Sequence, residues 1–411
     1  MKLSSSFVEI DKTILSRIKP YISKVYEVYS KNFRKILKAF NEERISSIHF
    51  NPTFGYGLLD YGTEKVEKVY SNIFNAEASI VRPQIVSGTN ALFLILNSLL
   101  NRGDLLLSIT GEPYETLKSC IGITKNYKGN LLEKGVRYSE LSLIGRNIKN
   151  YEKELICEAN VVWIQKSCGY SNRKTISNKE IGRLVKIIKE INPSIIIAVD
   201  NCYGEFIEES EPTDFGADVI GGSLLKNPGG GLARTGGYIV GKKKLIERVS
   251  SHLIAPGLGF ETTPNLGFTR EILQGLFNSP QSVKEALLGN IYISCFLEML
   301  NIETTPKYFE PHYDIILKIN MKSEKLFKAF TKSIQEVSPI DSFVEATPFM
   351  EEGYSYPIVM AGGTFTTGSS IEFSADGFYK NPFEIYYQAG LYFEQSRVLA
   401  EKFLDKVRNC A

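Results

Sequence analysis

The stretch Ser194-Ile195-Ile196-Ile197-Ala198-Val199-Asp200-Asn201-Cys202-Tyr203-Gly204-Glu205, followed downstream by Gly221-Gly222-Ser223-Leu224-Leu225-Lys226-Asn227-Pro228-Gly229-Gly230-Gly231, decides the fold. A continuous apolar run that closes on a carboxylate reads as a strand buried on both faces, the habit of parallel sheets. Working outward, Leu105–Ile109 and Val161–Ile164 are runs of the same kind, and Asp218–Gly221 and Gly237–Val240 follow the deciding stretch. Between them, Ser177–Ile191 reads as a helix, opened by a capping box of Ser177 and Glu180 and closed by Asn192-Pro193. Strands alternating with helices predict an α/β architecture, a mostly parallel sheet covered on both faces. Upstream, Ile18, Ile22, Val25 and Val28 recur at helical spacing. Beyond about residue 300 the texture turns to mixed α and β. The expected organisation is an N-terminal helical segment (1–50), a large α/β domain (51–295) and a smaller α+β C-terminal domain (296–411).

Composition bounds the function. At 411 residues the chain is too long for one small module and needs no disulfide or metal staple to hold a core. The formal net charge of +2 argues against a dedicated nucleic-acid or membrane-surface binder, which usually carries a clear basic excess. The local run Lys242-Lys243-Lys244 reads as a solvated helix start. Six cysteines are scattered without a CxxC pair, the pattern of reduced thiols in a cytoplasmic protein. The three histidines lie at no metal-ligand spacing, so no metal centre is expected. The first nine residues contain no apolar core for a secretion signal, and the longest apolar stretch, Ala91–Leu100, is too short to span a bilayer.

Three short motifs fall at strand ends, where open α/β sheets bind their ligands. Ser87-Gly88-Thr89-Asn90-Ala91 follows Ile85-Val86 and opens a helix, so its N–H groups and hydroxyls face an anion such as phosphate; an ordinary N-cap would use the same residues. Asp200 ends a buried strand and needs a cationic partner, which a protonated heterocyclic nitrogen or a salt-bridging side chain would each supply. Lys226 lies in a small, apolar, glycine-dense segment three residues after Ser223, surroundings expected to favour a neutral, nucleophilic amine of Schiff-base type; an incidental loop lysine is the plain alternative.

Taken together, SGT, a strand-end Asp and Ser-x-x-Lys resemble the pyridoxal-5′-phosphate enzymes of the aspartate aminotransferase fold (fold type I). Within them the chain resembles the cysteine/methionine-metabolism branch, and most closely the methionine γ-lyase-like, cystathionine β-lyase-like "aluminium resistance" group. The likeness runs from about His49 almost to the C-terminus. It includes Phe54-Gly55-Tyr56-Gly57 with Asp60, Val81–Thr89, Gly111-Glu112-Pro113-Tyr114-Glu115, Gly169-Tyr170-Ser171, Ser223–Gly231, Thr235-Gly236-Gly237-Tyr238 and Gly368–Gly377. The resemblance implies pyridoxal phosphate as cofactor, carried as an aldimine on Lys226, which would also shuttle the substrate α-proton. It further implies Asp200 on the pyridine nitrogen and Ser87, Gly88, Thr89 and Ser223 on the phosphate. Tyr114 would stack on the ring and protonate the leaving group, and Tyr203 would bond the phenolic oxygen. Tyr56 would reach the phosphate of a neighbouring subunit in a homodimer or homotetramer with shared sites.

The chain also departs from the group. Relatives carry arginines where Thr63, Cys168 and Lys380 stand here, have Lys166 as Arg, and continue Ser-Gly-Thr with His where Asn90 stands. An arginine grips a carboxylate bidentately and lysine or cysteine does not. Arg173 and Arg234, in the same motifs, are candidates for compensation, and Lys380 and Arg173 are the expected substrate contacts; a changed substrate is the other explanation. The expected function is a pyridoxal-phosphate lyase that eliminates a β or γ leaving group, sulfur first, from an amino acid. A replacement or transamination on the same cofactor and a non-catalytic cofactor-binding paralogue remain open at this point.

Overall fold

A computed structural model describes residues 5–124, 127–260, 263–351, 354 and 356–408; residues 1–4, read above against a secretion signal, and Cys410 lie outside them. The chain forms two compact units, one of residues 33–277 and one of residues 1–32 with 278–411. The segment 1–50 is therefore not a unit of its own. Helix α1 (Ser5–Glu42) runs through it; Phe7, Ile14 and Ile18 are buried in the C-terminal unit's cluster, and Ile36 and Ala39 are buried further along the helix.

In the unit 33–277 the strands are β1 (Ala78–Arg82), β2 (Leu105–Ser108), β3 (Arg137–Glu140), β4 (Val161–Gln165), β5 (Ile196–Asp200), β6 (Val219–Ser223) and β7 (Gly237–Gly241). They form one sheet in the order β1-β7-β6-β5-β4-β2-β3. β3, β2, β4, β5 and β6 are parallel, and β7 runs antiparallel to both β6 and β1. The helices are α2 (Tyr61–Ile73), α3 (Gly88–Leu99), α4 (Glu115–Ile121), α5 (Asn150–Glu158), α6 (Asn178–Ile191) and α7 (Lys243–Ser250). Every residue of β2, β4 and β6 is buried, which is why these strands read as apolar runs without alternation. One core cluster gathers Leu92 and Ile95 of α3 with Leu106, Val161, Trp163, Ala198, Val219 and Ile239 of the sheet.

The expected capping box of α6 is only half formed. Ser177 Oγ accepts the Glu180 N–H at 3.1 Å, but the Glu180 carboxylate turns outward to the Gly145 N–H and to Arg183. A charged guanidinium and a loop N–H outbid the single backbone donor at the cap.

The second unit carries an antiparallel sheet of β8 (Glu303–Thr305), β9 (Leu317–Asn320), β10 (Ile358–Ala361), β11 (Ser374–Phe378) and β12 (Glu384–Gln388), in the order β10-β11-β12-β9-β8. It packs with α8 (Thr269–Met299), α9 (Glu324–Glu336) and α10 (Phe393–Arg408) around Phe296, Phe327, Phe330, Tyr387 and Phe403. Among the described residues no helix is long and apolar enough to cross a membrane.

Asp11 of α1 ties this unit together. Its carboxylate accepts two N–H donors from Arg397 of α10, at 3.0 and 2.6 Å, and the Tyr292 hydroxyl of α8 at 2.7 Å. Burial opposes its charge, but these donors outweigh burial and hold the carboxyl below the usual aspartate value. A depressed folded value means the contribution is present above the unfolded-state value of about 3.9 and is lost as pH falls through the lower folded value. Asp11→Asn is expected to destabilise the protein by about 2 kcal/mol at pH 7, because Arg397 loses its buried charged acceptor and keeps only the exposed Glu394. Thermal melts of both proteins across pH 2–7 check this, the gap narrowing as the native carboxylate is protonated.

Candidate active site

Parallel register brings the chemistry to one edge of the sheet. Gln165 pairs with Asp200 and Asp200 with Gly221, so the carboxyl ends of β4, β5 and β6 finish side by side. Beyond them stands the N-terminus of α3, where Ser87 Oγ caps the Asn90 N–H at 3.1 Å. Gly88 fits closely there. A Cβ on it would lie 3.1 Å from the Ser223 Cβ and 3.4 Å from Cys202 Sγ, so any side chain here would have to push the end of β6 aside by a few tenths of an ångström. The two hydroxyl motifs predicted to share an anion are thus in contact, at the positive end of a helix dipole.

Asp200 is buried at the tip of β5, and its Oδ1 accepts the Cys202 N–H at 3.0 Å. Burial pushes its carboxyl up from the ordinary range, and Lys226, the Cys202 donors and Arg173 pull part of the way back. Lys226 lies in the turn after β6 with its Nζ 3.4 Å from the centroid of the Tyr203 ring. The expectation of a neutral amine is not met. Burial does work against the ammonium, but Tyr203, Cys202 and Asp200 favour it more strongly and lift its proton affinity above that of a free lysine. The glycine-dense sequence around Lys226 shows nothing of these acidic neighbours, which come from the strand beside it.

Tyr114 precedes α4, its N–H donating to Gln165 Oε1 at 2.9 Å and its hydroxyl to Thr89 Oγ1 at 2.9 Å. Thr89 Oγ1 also meets Thr116 Oγ1 at 3.0 Å. Burial, reinforced by the charges of Asp200 and Cys202, keeps this phenol protonated well beyond the usual tyrosine range. Ser87, Gly88, Thr89, Tyr114, Asp200, Tyr203, Ser223 and Lys226 therefore form one constellation.

The remaining predicted residues are placed otherwise. Arg173 sends its guanidinium to backbone carbonyls at the end of β4, to Gln165 at 2.7 Å and to Ser167, and to Lys174 at 3.1 Å. Arg234 is forked onto Glu271 at 2.9 and 2.6 Å. Thr63 is buried and doubly bonded to Asp60, and Lys166 is wholly buried with Asn178, Gly204 and Glu208 as partners. Lys380, in the other unit, rests its Nζ 3.6 Å from the Tyr356 ring centroid. Tyr56 is 73% exposed, in a loop that also exposes Phe54, Leu58, Leu59 and Tyr61. The sequence reading missed Gln165, which orients Tyr114, and Asn227, whose Nδ2 donates to the carbonyls of Tyr203 and Glu205. The signal for Asn227 was its place directly after Lys226; Gln165 carried none beyond ending a strand.

The chain is similar to known proteins along most of its length. The family profile described as methionine gamma-lyase matches residues 7–408. The protein YnbB of Bacillus subtilis (strain 168), itself uncharacterised, is 40% identical over 371 residues, covering 89% of this chain and 88% of YnbB. The crystal structure of a carbon–sulfur lyase involved in aluminum resistance from Clostridium novyi NT superposes with a TM-score of 0.93 at 39% identity, covering 98% of this chain and 96% of that one. At 15% identity, the pyridoxal-5′-phosphate-dependent protein YhfS of Escherichia coli shares the fold with a TM-score of 0.63, covering 94% and 97% of the two chains.

Gly88→Val would drive a branched side chain into Ser223 and Cys202. A loss of about 1–3 kcal/mol is expected, the usual size for overpacking a filled site, and the shift in melting temperature measures it.

Proposed function

The chain belongs to the methionine gamma-lyase family, and from that premise we propose that it is a pyridoxal-phosphate-dependent lyase of fold type I that cleaves a carbon–sulfur bond at the β or γ carbon of an amino acid. The observation that carries this reading is the convergence of Lys226, Asp200 and the Ser87–Thr89/Ser223 pair on one end of the sheet.

The residues present fit the cofactor on three counts. The contact of Gly88 with Ser223 makes a small, hydroxyl-rich cradle at a helix N-terminus, suited to a phosphate. Asp200 is a buried carboxylate whose desolvation is only partly offset within the chain, as expected of a group that awaits a protonated ring nitrogen. Lys226 is an amine at the same sheet end, against the Tyr203 ring, and Tyr114 is a buried tyrosine bonded to Thr89 of the cradle. When bound, pyridoxal phosphate supplies an electron sink for negative charge at the substrate's α carbon.

The chain's own residues do the rest. Ser87, Thr89, Ser223 and the α3 N–H groups would hold the phosphate, Asp200 would hold a proton on the ring nitrogen, and Tyr203 would bond the phenolic oxygen. Lys226 anchors the cofactor and then moves the proton at the substrate α carbon. Its elevated proton affinity means that it must be discharged before it acts as a base, so activity should rise with pH across the neutral range. Tyr114, kept protonated by burial, is the donor for the leaving group. Arg173 is the proposed carboxylate contact in this unit, and Lys380 is proposed as its companion on family likeness alone.

A homodimer or homotetramer with shared sites belongs to the same proposal. The apolar loop bearing Phe54, Tyr56, Leu58, Leu59 and Tyr61 supports it, since such a patch is costly to leave in water and Tyr56 lies within it. The free thiols Cys120, Cys157, Cys168, Cys202 and Cys295 favour a cytoplasmic setting.

The purified protein is expected to be yellow, the colour bleached by borohydride with fixation at Lys226 and missing from Lys226→Ala. A colourless wild type that takes up no added cofactor would overturn the enzyme reading and leave a non-catalytic paralogue. Incubation with cysteine, cystathionine and methionine homologues is expected to release a 2-oxo acid and ammonia, with at least a thousandfold loss in Lys226→Ala. An amino product without ammonia would point to replacement or transamination instead. Light scattering at micromolar concentration checks the assembly, and a monomer would end the shared-site proposal.

A further inference from the structure

Behind Lys226 lies a buried acid that the proposed chemistry does not use. Glu205 is fully buried in the turn after β5. Its Oε1 accepts the Tyr238 hydroxyl of β7 at 2.8 Å, whereas its Oε2 is buried without a hydrogen-bond partner. The fit is tight: a Cβ on Gly222 of β6 would stand 2.7 Å from Glu205 Oε1 and 2.6 Å from the Tyr238 ring. Two amides flank the acid. Asn201 Nδ2 donates to Glu211 Oε2 at 3.1 Å and sits 3.4 Å from the Tyr238 hydroxyl, and Asn227 Nδ2 donates to the Glu205 carbonyl at 2.9 Å. The side-chain oxygens of both amides are buried and lack donors. With one oxygen buried and lacking a donor, the charged form of Glu205 is poorly compensated, and burial favours the protonated acid.

The groups that face Glu205 come from each neighbouring element. They are Tyr70 of α2, Cys202 after β5, Tyr238 of β7, Glu211 of the following loop, and Lys226 after β6. Lys35 of α1 and Lys166 compensate Glu211 from its far side. Lys226 is a basic group acting on Glu205, and the Asn227 amide, next to it in the chain, links the Glu205 and Tyr203 carbonyls.

We propose that Glu205 is a positioning residue for Lys226: as a buried neutral acid it braces the Tyr203–Glu205 turn under the lysine, and on losing its proton it places a charge that holds Lys226 in its ammonium form. Burial pushes the Glu205 carboxyl up to about 8, so this change falls near the pH at which cells operate. The sign follows directly. Below that range Glu205 is neutral and Lys226 is easier to discharge; above it the new negative charge raises the proton affinity of Lys226 and works against its role as a base. The proposal rests on the reading of Lys226 as the cofactor-bearing amine, and it is tested by a readout that does not need turnover.

The experiment is trace labelling of the full chain with acetic anhydride across pH 6–11, after removal of any cofactor by hydroxylamine dialysis, with the Lys226 peptide quantified by mass spectrometry. Glu205→Gln keeps the shape and removes the charge. It is expected to move the Lys226 labelling midpoint to lower pH, so that at fixed alkaline pH the rate rises roughly tenfold, the scale of one unit charge acting through a protein interior. An unchanged midpoint in folded Glu205→Gln, or a shift to higher pH, would overturn the proposal and leave Glu205 a structural residue. Should Glu205→Gln fail to fold, Tyr238→Phe removes the hydroxyl that stabilises the charged carboxylate. It is expected to shift the midpoint in the same direction by a smaller amount, and no shift would again defeat the idea. Cofactor uptake by wild type, measured separately, distinguishes failure of this proposal from failure of the enzyme reading.

Discussion

A carboxylate held out of water at the end of a strand is the constraint around which this molecule is arranged. Asp200 cannot be buried without company, because an isolated interior charge costs several kcal/mol even after relaxation. The sheet supplies part of the company by register. β4, β5 and β6 finish level, so the Cys202 N–H, the Lys226 amine and the Arg173 guanidinium all act on one carboxyl. They offset only part of the cost of burial, so the Asp200 carboxyl stays above its ordinary range. A surface-exposed aspartate in the same place would be content with solvent and would organise nothing.

The geometry around Asp200 is held at the cost of local strain. Tyr203 and Phe206 both occupy the left-handed backbone region, at φ +69° and +62°, where a bulky side chain is uncomfortable. The Asn227 amide, reaching across from the lysine turn to the carbonyls of Tyr203 and Glu205, holds the turn in that shape. The same tie sets the Tyr203 ring against Lys226 and places Glu205 beneath it. One amide thus couples the position of the aromatic ring, the lysine and the buried acid.

How much of this the sequence carries depends on the range of the interaction. The strands of the parallel sheet were legible because residues buried on both faces leave no polar alternation, and Ser177 was legible as a cap because capping acts over three residues. The SGT turn, Asp200 and Lys226 could be assigned to strand ends for the same reason. The protonation of Lys226 could not, since Tyr203, Cys202 and Asp200 reach it across the sheet rather than along the chain. Glu180 escaped its predicted box through Gly145 and Arg183, one of them a loop away. Helix α1 was legible as a helix from its apolar spacing, but periodicity does not say which compact unit a helix belongs to.

The departures from the family's arginines can be weighed by what each remaining cation already holds. Arg234 is forked onto a carboxylate, Glu271, and would have to abandon a charged pair to bind another anion. Lys166 is wholly buried among Asn178, Gly204 and Glu208, so drawing it out would strand a buried acid partner. Thr63 serves Asp60 and has no charge to offer. Arg173 donates to the neutral carbonyls of Gln165, Ser167 and Lys174, and its charge also acts on the Asp200 carboxyl. A charged acceptor binds a guanidinium about twice as strongly as a neutral one, so Glu271 holds Arg234 more firmly than any single carbonyl holds Arg173.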